Sequence, residues 1–163
     1  MADSSIDPVP LLEVLDRHRV RYVLIGGWAA IVRGAPYFTE DVDITPNVDE
    51  DNLQRLAAAL RELGALISVP DEPEGVPFTI DAKSLAGHRT WNLVTDLGDL
   101  DIAFEPAGTH GWADLAREAS EEELADGLVV TVASLADVIR SKQAAGRPKD
   151  LAVLPALRAL QDE

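Results

Sequence analysis

The chain has 163 residues, 47% of them hydrophobic, and a formal net charge of -15. A single domain of this length buries roughly two-thirds of its unfolded surface, so a substantial core is expected. The charge disfavours non-specific nucleic-acid binding over the whole surface. The absence of cysteine excludes disulfides and thiolate metal sites. A membrane helix needs about 20 apolar residues, and no apolar run in the chain is that long.

The N-terminal stretch MADSSIDPVP carries acids where a signal peptide has a basic region followed by an apolar one. Because the chain also lacks cysteine, which fits a reducing compartment, we expect a cytoplasmic protein. We expect residues 1–163 to form a single domain, with its core over about 20–132 and a C-terminal helical part over about 133–163.

The first half of the chain alternates helix and strand signals. Leucines at helical spacing follow Pro8 and Pro10, the stretch VRYVLIG is β-branched and aromatic, and a later leucine stripe ends at Gly64. In chain order these patterns predict a helix at about 8–19, a strand at 20–25, a short helix from Gly26 to before Gly34, a strand at 41–45 and a helix at 48–64.

The second half continues the alternation. The patterns predict short strands at 65–69 and 76–81 separated by a turn at DEPEG, a hairpin of 89–95 with 99–105, a helix at 112–120, a strand at 128–132, a helix capped by Ser134 and stopped by Gly146, and a last helix from Pro148. The acid runs at 71–74 and 118–126 are interpreted as solvated faces. The fold class is therefore α/β (α+β), a mixed sheet flanked by helices.

Two strands repeat an aspartate-hydrophobic pattern. Side chains alternate across a strand, so Asp41 and Asp43 share one face of DVDIT, and Asp99 and Asp101 share one face of DLDIAFE. If the strands are neighbours with these faces aligned, Asp101 joins Asp41 and Asp43, and three carboxylates need a cation. Hard oxygen ligands favour Mg²⁺ or Mn²⁺.

The alternative is that these strands only alternate between a buried and a solvated face. Aspartate is depleted in strands, however, and its repetition on two strands favours a functional site. The pair Gly26-Gly27 strengthens this interpretation, because a strand that ends in glycines at a helix start can present backbone N–H groups to a phosphate.

The stretch LIGGWAAIVRG, followed after four residues by Thr39 and then by EDVDI, resembles the signature of the nucleotidyltransferase superfamily related to DNA polymerase β. Together with DLDIAFEPAG and VVTVASLADVIRSKQAAGRPKDLAVLPAL, it resembles the AbiEii-like and MenT-like nucleotidyltransferase toxins over about residues 20–160. The resemblance implies a nucleotidyltransferase fold with a mixed, mostly antiparallel sheet and C-terminal helices.

The resemblance also implies roles for individual residues. Gly26, Gly27 and Thr39 would line the triphosphate, and Asp41 and Asp43 would hold two Mg²⁺ ions. Asp101 would be the third metal-binding carboxylate and would help to deprotonate the attacking hydroxyl. Lys142, Arg147 and Asp150 match the family's C-terminal positions near the nucleotide, with Lys142 also acting on the phosphates.

The C-terminal residues are also distinctive without the resemblance. Lys142 shares a helical stripe with Leu135, Val138 and Ile139, and Asp150 lies on the apolar side of the last helix. A lysine at this position can also extend its ammonium group to solvent near the helix end. A buried carboxylate at position 150 would need a partner, and Lys142 or Arg147 could provide it.

Two positions depart from the family pattern. Relatives usually carry an arginine two residues before the motif threonine, where this chain has Tyr37, and often a second aspartate where Val153 stands. His88, His110 and Trp91 fit no catalytic pattern and are interpreted as structural.

The predicted function is Mg²⁺-dependent transfer of a nucleoside monophosphate from an NTP to a hydroxyl group. By resemblance the acceptor is an RNA, the 3′ end of a tRNA, and the protein is a toxin with a cognate antitoxin partner. The basic segment RSKQAAGRPK, 140–149, could dock such a substrate. One alternative is adenylylation of an aminoglycoside-type antibiotic, which an acidic surface would attract. The other is a nucleotide-binding or interaction protein that has lost catalysis.

Overall fold

Residues 7–163 are described by a computed structural model, and the N-terminal stretch up to residue 6 lies outside it. The helices are α1 Val9–Arg17, α2 Gly26–Val32, α3 Glu50–Glu62, α4 Ala82–Ala86, α5 Trp112–Glu118, α6 Leu135–Ala145 and α7 Pro148–Gln161. The strands are β1 Tyr22–Ile25, β2 Asp41–Pro46, β3 Leu66–Val69, β4 Glu72–Val76, β5 Thr90–Thr95, β6 Gly98–Ala103, β7 Ser120–Ala125 and β8 Leu128–Val132.

All these strands join one sheet in the order β4-β3-β5-β6-β2-β1-β8-β7. Strand β2 pairs in parallel with β6, and β1 pairs in parallel with β8, whereas the other neighbours are antiparallel. The predicted fold class, a mixed and mostly antiparallel sheet flanked by helices, is confirmed. None of the helices formed by residues 7–163 has the length and apolar character needed to cross a membrane.

The core forms where the apolar faces of the central strands meet the helices. Val42 and Ile44 of β2 and Leu100 and Ile102 of β6 are buried in one cluster with the leucines of α1 and α3. Burying a side chain of this size contributes about 1.5–3 kcal/mol relative to exposure. Because this face takes the alternate residues of β2 and β6, it turns their aspartates to the opposite face.

The start of α3 is tied to the central strands by one buried amide. The Asn52 side chain accepts a hydrogen bond from the Arg21 backbone N–H and donates to the carbonyls of Arg21 and Asn47. These bonds fasten α3 to the segments that enter β1 and leave β2. The sequence pattern predicts the helix but not this amide, because its partners lie on other elements.

The structure differs from the predictions in four segments. The prediction of a turn at DEPEG is wrong, because Glu72–Val76 forms strand β4 and the turn lies at 70–71. The strand predicted at 76–81 does not form. The acid-rich segment at 118–126 contains strand β7, and the short helix α4 was not predicted. Strands β4 and β7 are the two outer strands of the sheet. An outer strand exposes much of its length, so it need not show the apolar alternation of an inner one.

Candidate active site

The pairing of β2 with β6 brings the aspartates of both strands together. The parallel register places Asp41 opposite Asp99 and Asp43 opposite Asp101. Neighbouring strands lie about 4.8 Å apart, and alternate residues share a face. The register therefore places four carboxyl groups, two from each strand, side by side on one face of the sheet. We call these four groups the aspartate row, and Asp99 is its most exposed member.

The glycine pair lies directly beside this row. Strand β1 pairs antiparallel with β2 so that Ile25 lies opposite Asp43, and Gly26 follows at the start of α2. A methyl group at Gly26 would come within 2.4 Å of Asp43 Oδ2. Its φ of +66° is also a conformation that residues with a Cβ adopt only at a cost. Glycine at position 26 thus lets the backbone approach the carboxylate.

The second glycine allows a different close approach. A Cβ on Gly27 would lie 2.6 Å from Cβ of Thr39 and 2.7 Å from its hydroxyl oxygen. The Thr39 hydroxyl donates a hydrogen bond to the carbonyl of Asp41 at 3.4 Å. Gly27, Thr39 and the start of β2 therefore form one contact next to the aspartates.

The crowding of carboxylates raises the pKa of two of them. The pKa of Asp43 rises to about 7, first because the group is buried and then because Asp101 and Asp41 repel its charge, and Lys142 partly offsets this rise. Burial, followed by repulsion from Asp41 and Asp99, raises the pKa of Asp101 to about 6. Each of these two groups would be stabilised in its charged form by a nearby cation.

A cluster of opposite charge forms where α6 meets α7. The carboxylate of Asp150 is 2% exposed and lies 2.6 Å from Arg147 Nε and 3.6 Å from Lys142 Nζ. Burial alone would raise the pKa of Asp150, but the hydrogen bonds and charges of Arg147 and the charge of Lys142 lower it. The expected partners of Asp150 are thus both present, and two cations against one carboxylate leave a local charge of +1.

The Gly146-Arg147 junction positions this cluster. Gly146 ends α6 with a left-handed φ of 64°, and Asp150 accepts hydrogen bonds from the backbone and side chain of Arg147 at the start of α7. Lys142 lowers the pKa of Asp43, and Asp43 adds to the effect of Asp150 in raising the pKa of Arg147. The cationic cluster and the aspartate row therefore lie within electrostatic range of each other.

The aspartates suit a divalent cation by chemistry. Within residues 7–163, no group of three or more histidine, aspartate or glutamate side chains is arranged to hold a metal ion. The side chains of Asp41, Asp43 and Asp101 nevertheless supply only hard oxygen donors, which suit Mg²⁺ or Mn²⁺. The raised pKa values of Asp43 and Asp101 have the sign expected for carboxylates that lack a compensating charge.

Tyr37 takes part in this region in a way that the sequence does not indicate. Its ring packs against the core cluster, and burial followed by the charge of Asp150 raises the pKa of its hydroxyl. Among residues 7–163 this hydroxyl is one of four buried polar side-chain atoms without a hydrogen-bond partner. Val153, the other departure from the family pattern, packs partly buried against the core.

The aromatic residues that fit no motif have packing contacts. Trp91 is 7% exposed, stacks on Phe78 at 5.1 Å between ring centroids and meets the edge of His88 at 5.0 Å. Its indole N–H donates to the carbonyl of Leu85. The backbone N–H of His110 donates to Asp114.

The sequence matches no protein-family model and no curated protein sequence. Several solved structures share the fold. A lincosamide antibiotic adenylyltransferase, LnuA, in its lincomycin-bound form superposes with a TM-score of 0.63 at 17% identity, covering 96% of this chain and 99% of that one.

Two further solved structures superpose less closely. A protein from Thermotoga maritima that is named a putative nucleotidyltransferase gives a TM-score of 0.54 at 16% identity over 95% of this chain and 91% of that one. The antibiotic-resistance factor ANT(2'')-Ia gives 0.54 at 16% identity over 92% and 78%. At these identities the likeness establishes the fold, and the chain has the nucleotidyltransferase fold.

Proposed function

We propose that the protein transfers a nucleoside monophosphate from an NTP to a hydroxyl group of an acceptor. The observation that carries this proposal is the parallel register of β2 and β6, which aligns Asp43 with Asp101 beside the glycine turn. Carboxylates crowded in this way need a cation, and the cluster of Lys142 and Arg147 offers positive charge to phosphates nearby. The shared fold agrees with this activity.

Asp41, Asp43 and Asp101 are the residues that would hold Mg²⁺ or Mn²⁺. When bound, such ions neutralise phosphate charge and lower the pKa of a hydroxyl nucleophile. In the transfer itself the acceptor oxygen forms a bond to the α-phosphorus, the bond from that phosphorus to the bridging oxygen breaks, and pyrophosphate leaves. Asp101 would also help to deprotonate the acceptor hydroxyl.

Two cationic side chains would act on the phosphates. Lys142 is 19% exposed, and Arg147 is 61% exposed, so both ends can reach a ligand while Asp150 holds them in place. Positive groups fixed in this way stabilise charge that develops on the leaving pyrophosphate. Gly26, Gly27 and Thr39 would line the triphosphate on the other side of the aspartates.

We propose that the acceptor is a small hydroxylated molecule rather than an RNA. The net charge of -15 repels a polyanion. In the basic segment 140–149, Arg140 pairs with Asp114 and Asp137, and Lys142 and Arg147 pair with Asp150, so acids already compensate most of its charge. Two of the structures that share the fold, LnuA and ANT(2'')-Ia, are antibiotic-modifying or antibiotic-resistance proteins. A tRNA acceptor and an antitoxin partner remain the rival prediction.

One experiment separates these outcomes. The purified protein would be incubated with each labelled NTP and Mg²⁺ together with total tRNA, a panel of aminoglycosides or a lincosamide, with Asp43→Asn as the matched control. We expect wild-type protein to label a small acceptor and Asp43→Asn to label nothing. Label on tRNA instead would favour the toxin, and a wild type that behaves like Asp43→Asn with every acceptor would remove the enzymatic proposal.

A further inference from the structure

The face of the sheet that carries the aspartate row continues onto strand β5. Asn92 of β5 lies opposite Asp101 of β6 in the antiparallel register. Residues directly opposite each other in two strands have their side chains on the same face, with Cβ atoms about 4.5–5.5 Å apart. Asn92 is therefore the next side chain after Asp101 in the line that runs across the sheet.

Strand β5 has one buried face and one exposed face. Trp91 and Leu93 are buried in the core, whereas Thr90 and Asn92 are exposed on the side of the aspartate row. The strand lies inside the sheet, between β3 and β6, and asparagine is depleted in strands. The amide of Asn92 is thus open to a ligand that occupies the space beside Asp101.

The glycine turn lies at the other end of the same line. Asp43 lies opposite Asp101 on one side and opposite Ile25 on the other, and Gly26 follows Ile25 at the start of α2. Three strand spacings, about 14 Å, separate Ile25 from Asn92. Helix α2 also packs against α6, the helix that ends at the cationic cluster. The groups proposed to bind the triphosphate therefore lie toward β1, and Asn92 lies toward β5.

The chemistry of nucleotidyl transfer relates these two ends of the line. In an in-line displacement, the attacking oxygen and the leaving oxygen lie on opposite sides of the α-phosphorus. With the triphosphate toward the glycine turn, pyrophosphate leaves in that direction, and the acceptor hydroxyl approaches from the side of β6 and β5. The part of the acceptor next to the reacting hydroxyl then lies beside Asn92.

We propose that Asn92 binds a second hydroxyl group of the acceptor, on the carbon next to the one that reacts, an inference that rests on the proposed function. Asp101 receives the reacting hydroxyl, and a side chain about 5 Å away reaches a neighbouring group of the same molecule, since a hydrogen bond spans about 2.7–3.2 Å. An amide both donates and accepts hydrogen bonds, as a hydroxyl group does. Asn92 is thus a specificity-determining residue that selects acceptors with two adjacent hydroxyl groups.

The test measures transfer of labelled nucleoside monophosphate by wild type and Asn92→Ala to aminoglycosides, a lincosamide and total tRNA. We expect Asn92→Ala to raise the KM for the acceptor that wild type labels about three- to tenfold, as for loss of one hydrogen bond. The affinity for NTP, measured by titration calorimetry with Mg²⁺, should not change. Asn92→Gln keeps the amide and should recover part of the loss.

The matched control is Glu121→Ala, which removes an exposed polar side chain from β7, the strand at the far edge of the sheet. Its KM for the acceptor and its affinity for NTP should both equal those of wild type. A control that loses as much as Asn92→Ala would mean that the loss does not come from the position beside Asp101.

A second measurement tests whether the two hydroxyl groups are adjacent. NMR of the product locates the labelled hydroxyl, and an analogue of that acceptor without the neighbouring hydroxyl is then assayed. Wild type should lose on this analogue about the factor that Asn92→Ala loses on the parent, and Asn92→Ala should lose nothing further. Losses that simply multiply would show that Asn92 does not contact this hydroxyl, which would overturn the inference.

Three further results would overturn the inference. If Asn92→Ala keeps the KM of an active wild type for the acceptor, only the role of Asn92 fails and the proposed function stands. If Asn92→Ala melts lower than wild type and loses affinity for NTP and acceptor alike, its role is structural. If wild type labels no acceptor, the proposed function fails together with the inference.

Discussion

At the scale of single residues, the site depends on backbone positions where a side chain cannot fit. Gly26 and Gly127 both have positive φ, of 66° and 79°. A Cβ on Gly26 would collide with Asp43, whereas a Cβ on Gly127 would meet no atom within 4 Å. Alanine substitutions at these two positions therefore separate the free-energy cost of the backbone conformation from the cost of the collision with Asp43.

Gly127→Ala should lower the free energy of unfolding by about 1–2 kcal/mol through backbone strain alone. Gly26→Ala should lower the free energy of unfolding by more than Gly127→Ala does, because Asp43 must also move. Urea denaturation measures both variants, and nucleotidyl transfer should be lost only in Gly26→Ala. Equal unfolding free energies and equal activities would contradict the close contact of Gly26 with Asp43.

The raised pKa values of Asp43 and Asp101 predict how stability depends on pH. Between about pH 4, where an unfolded aspartate titrates, and about pH 7, these two groups bind more protons in the folded protein than in the unfolded chain. Their contribution to the free energy of unfolding should therefore fall as pH rises through this window. Carboxyl groups whose pKa is lowered in the fold, such as Asp150, have the opposite effect: their contribution to the free energy of unfolding rises with pH, and it does so at lower pH.

Asp43→Asn removes one of the repelling charges, so above neutral pH it should be more stable than wild type by roughly 1–3 kcal/mol. At about pH 4 the two proteins should differ much less, because both carboxyls of wild type are protonated in the fold. Mg²⁺ should stabilise wild type more at high pH than at low pH, since protons compete for the same oxygens. Urea titrations at several pH values measure this, and a wild type whose stability rises steadily between pH 4 and 7 relative to Asp43→Asn would refute it.

At the scale of elements, one arginine fastens the helix that begins at the glycine turn. Arg33, at the end of α2, donates to the carbonyls of Val132 and Ala133, to the Ser120 hydroxyl and to the Glu122 carboxylate. These bonds tie α2 to the end of β8 and to β7. Helix α2 is therefore fixed at its C-terminal end by β7 and β8 and at its N-terminal end by contacts of the glycines.

Arg33→Lys keeps the charge but loses the planar fork of donors, so it should lower the free energy of unfolding by about 1–3 kcal/mol. The control is Arg117→Lys, where the arginine is 74% exposed and lies 3.5 Å from Asp114. That change should cost under about 1 kcal/mol. Chemical denaturation of both variants measures the difference, and similar losses would show that the Arg33 bonds add little.

The sequence predicts those elements whose residues carry a local signal. Strands β1, β2, β5, β6 and β8 are apolar on at least one face, and α6 has both its Ser134 cap and its Gly146 stop. Strands β4 and β7 lack such a face, because they lie at the edges of the sheet. Helix α4 spans five residues with only Leu85 buried, too short for a periodic pattern to appear.

The sequence likewise predicts only those parts of the candidate site that have a local signal. The shared face of Asp41 and Asp43 follows from strand alternation alone. Their alignment with Asp99 and Asp101 depends on β2 lying beside β6, which a local pattern does not contain. The enclosure of the Tyr37 hydroxyl depends on how a loop packs against the core, and no periodicity describes a loop.

At the scale of the whole molecule, the net charge of -15 works against the compact state. Neutral salt screens this repulsion over a distance of about 10 Å at moderate ionic strength. Raising the NaCl concentration should therefore increase the melting temperature by a few degrees. Differential scanning calorimetry measures this, and a melting temperature that falls with salt would mean that surface ion pairs such as Arg17 with Glu62 outweigh the repulsion.

The two acid runs of the chain lie on the two outer strands of the sheet, with Glu72 and Glu74 on β4 and Glu121 and Glu123 on β7. An open sheet edge can pair with the edge of another copy and so begin an aggregate, and charged side chains and proline oppose such pairing. Pro73 adds to this protection on β4. The same glutamates that make the surface acidic therefore keep each molecule from extending its sheet into a neighbour, which favours a protein that remains dispersed at high concentration.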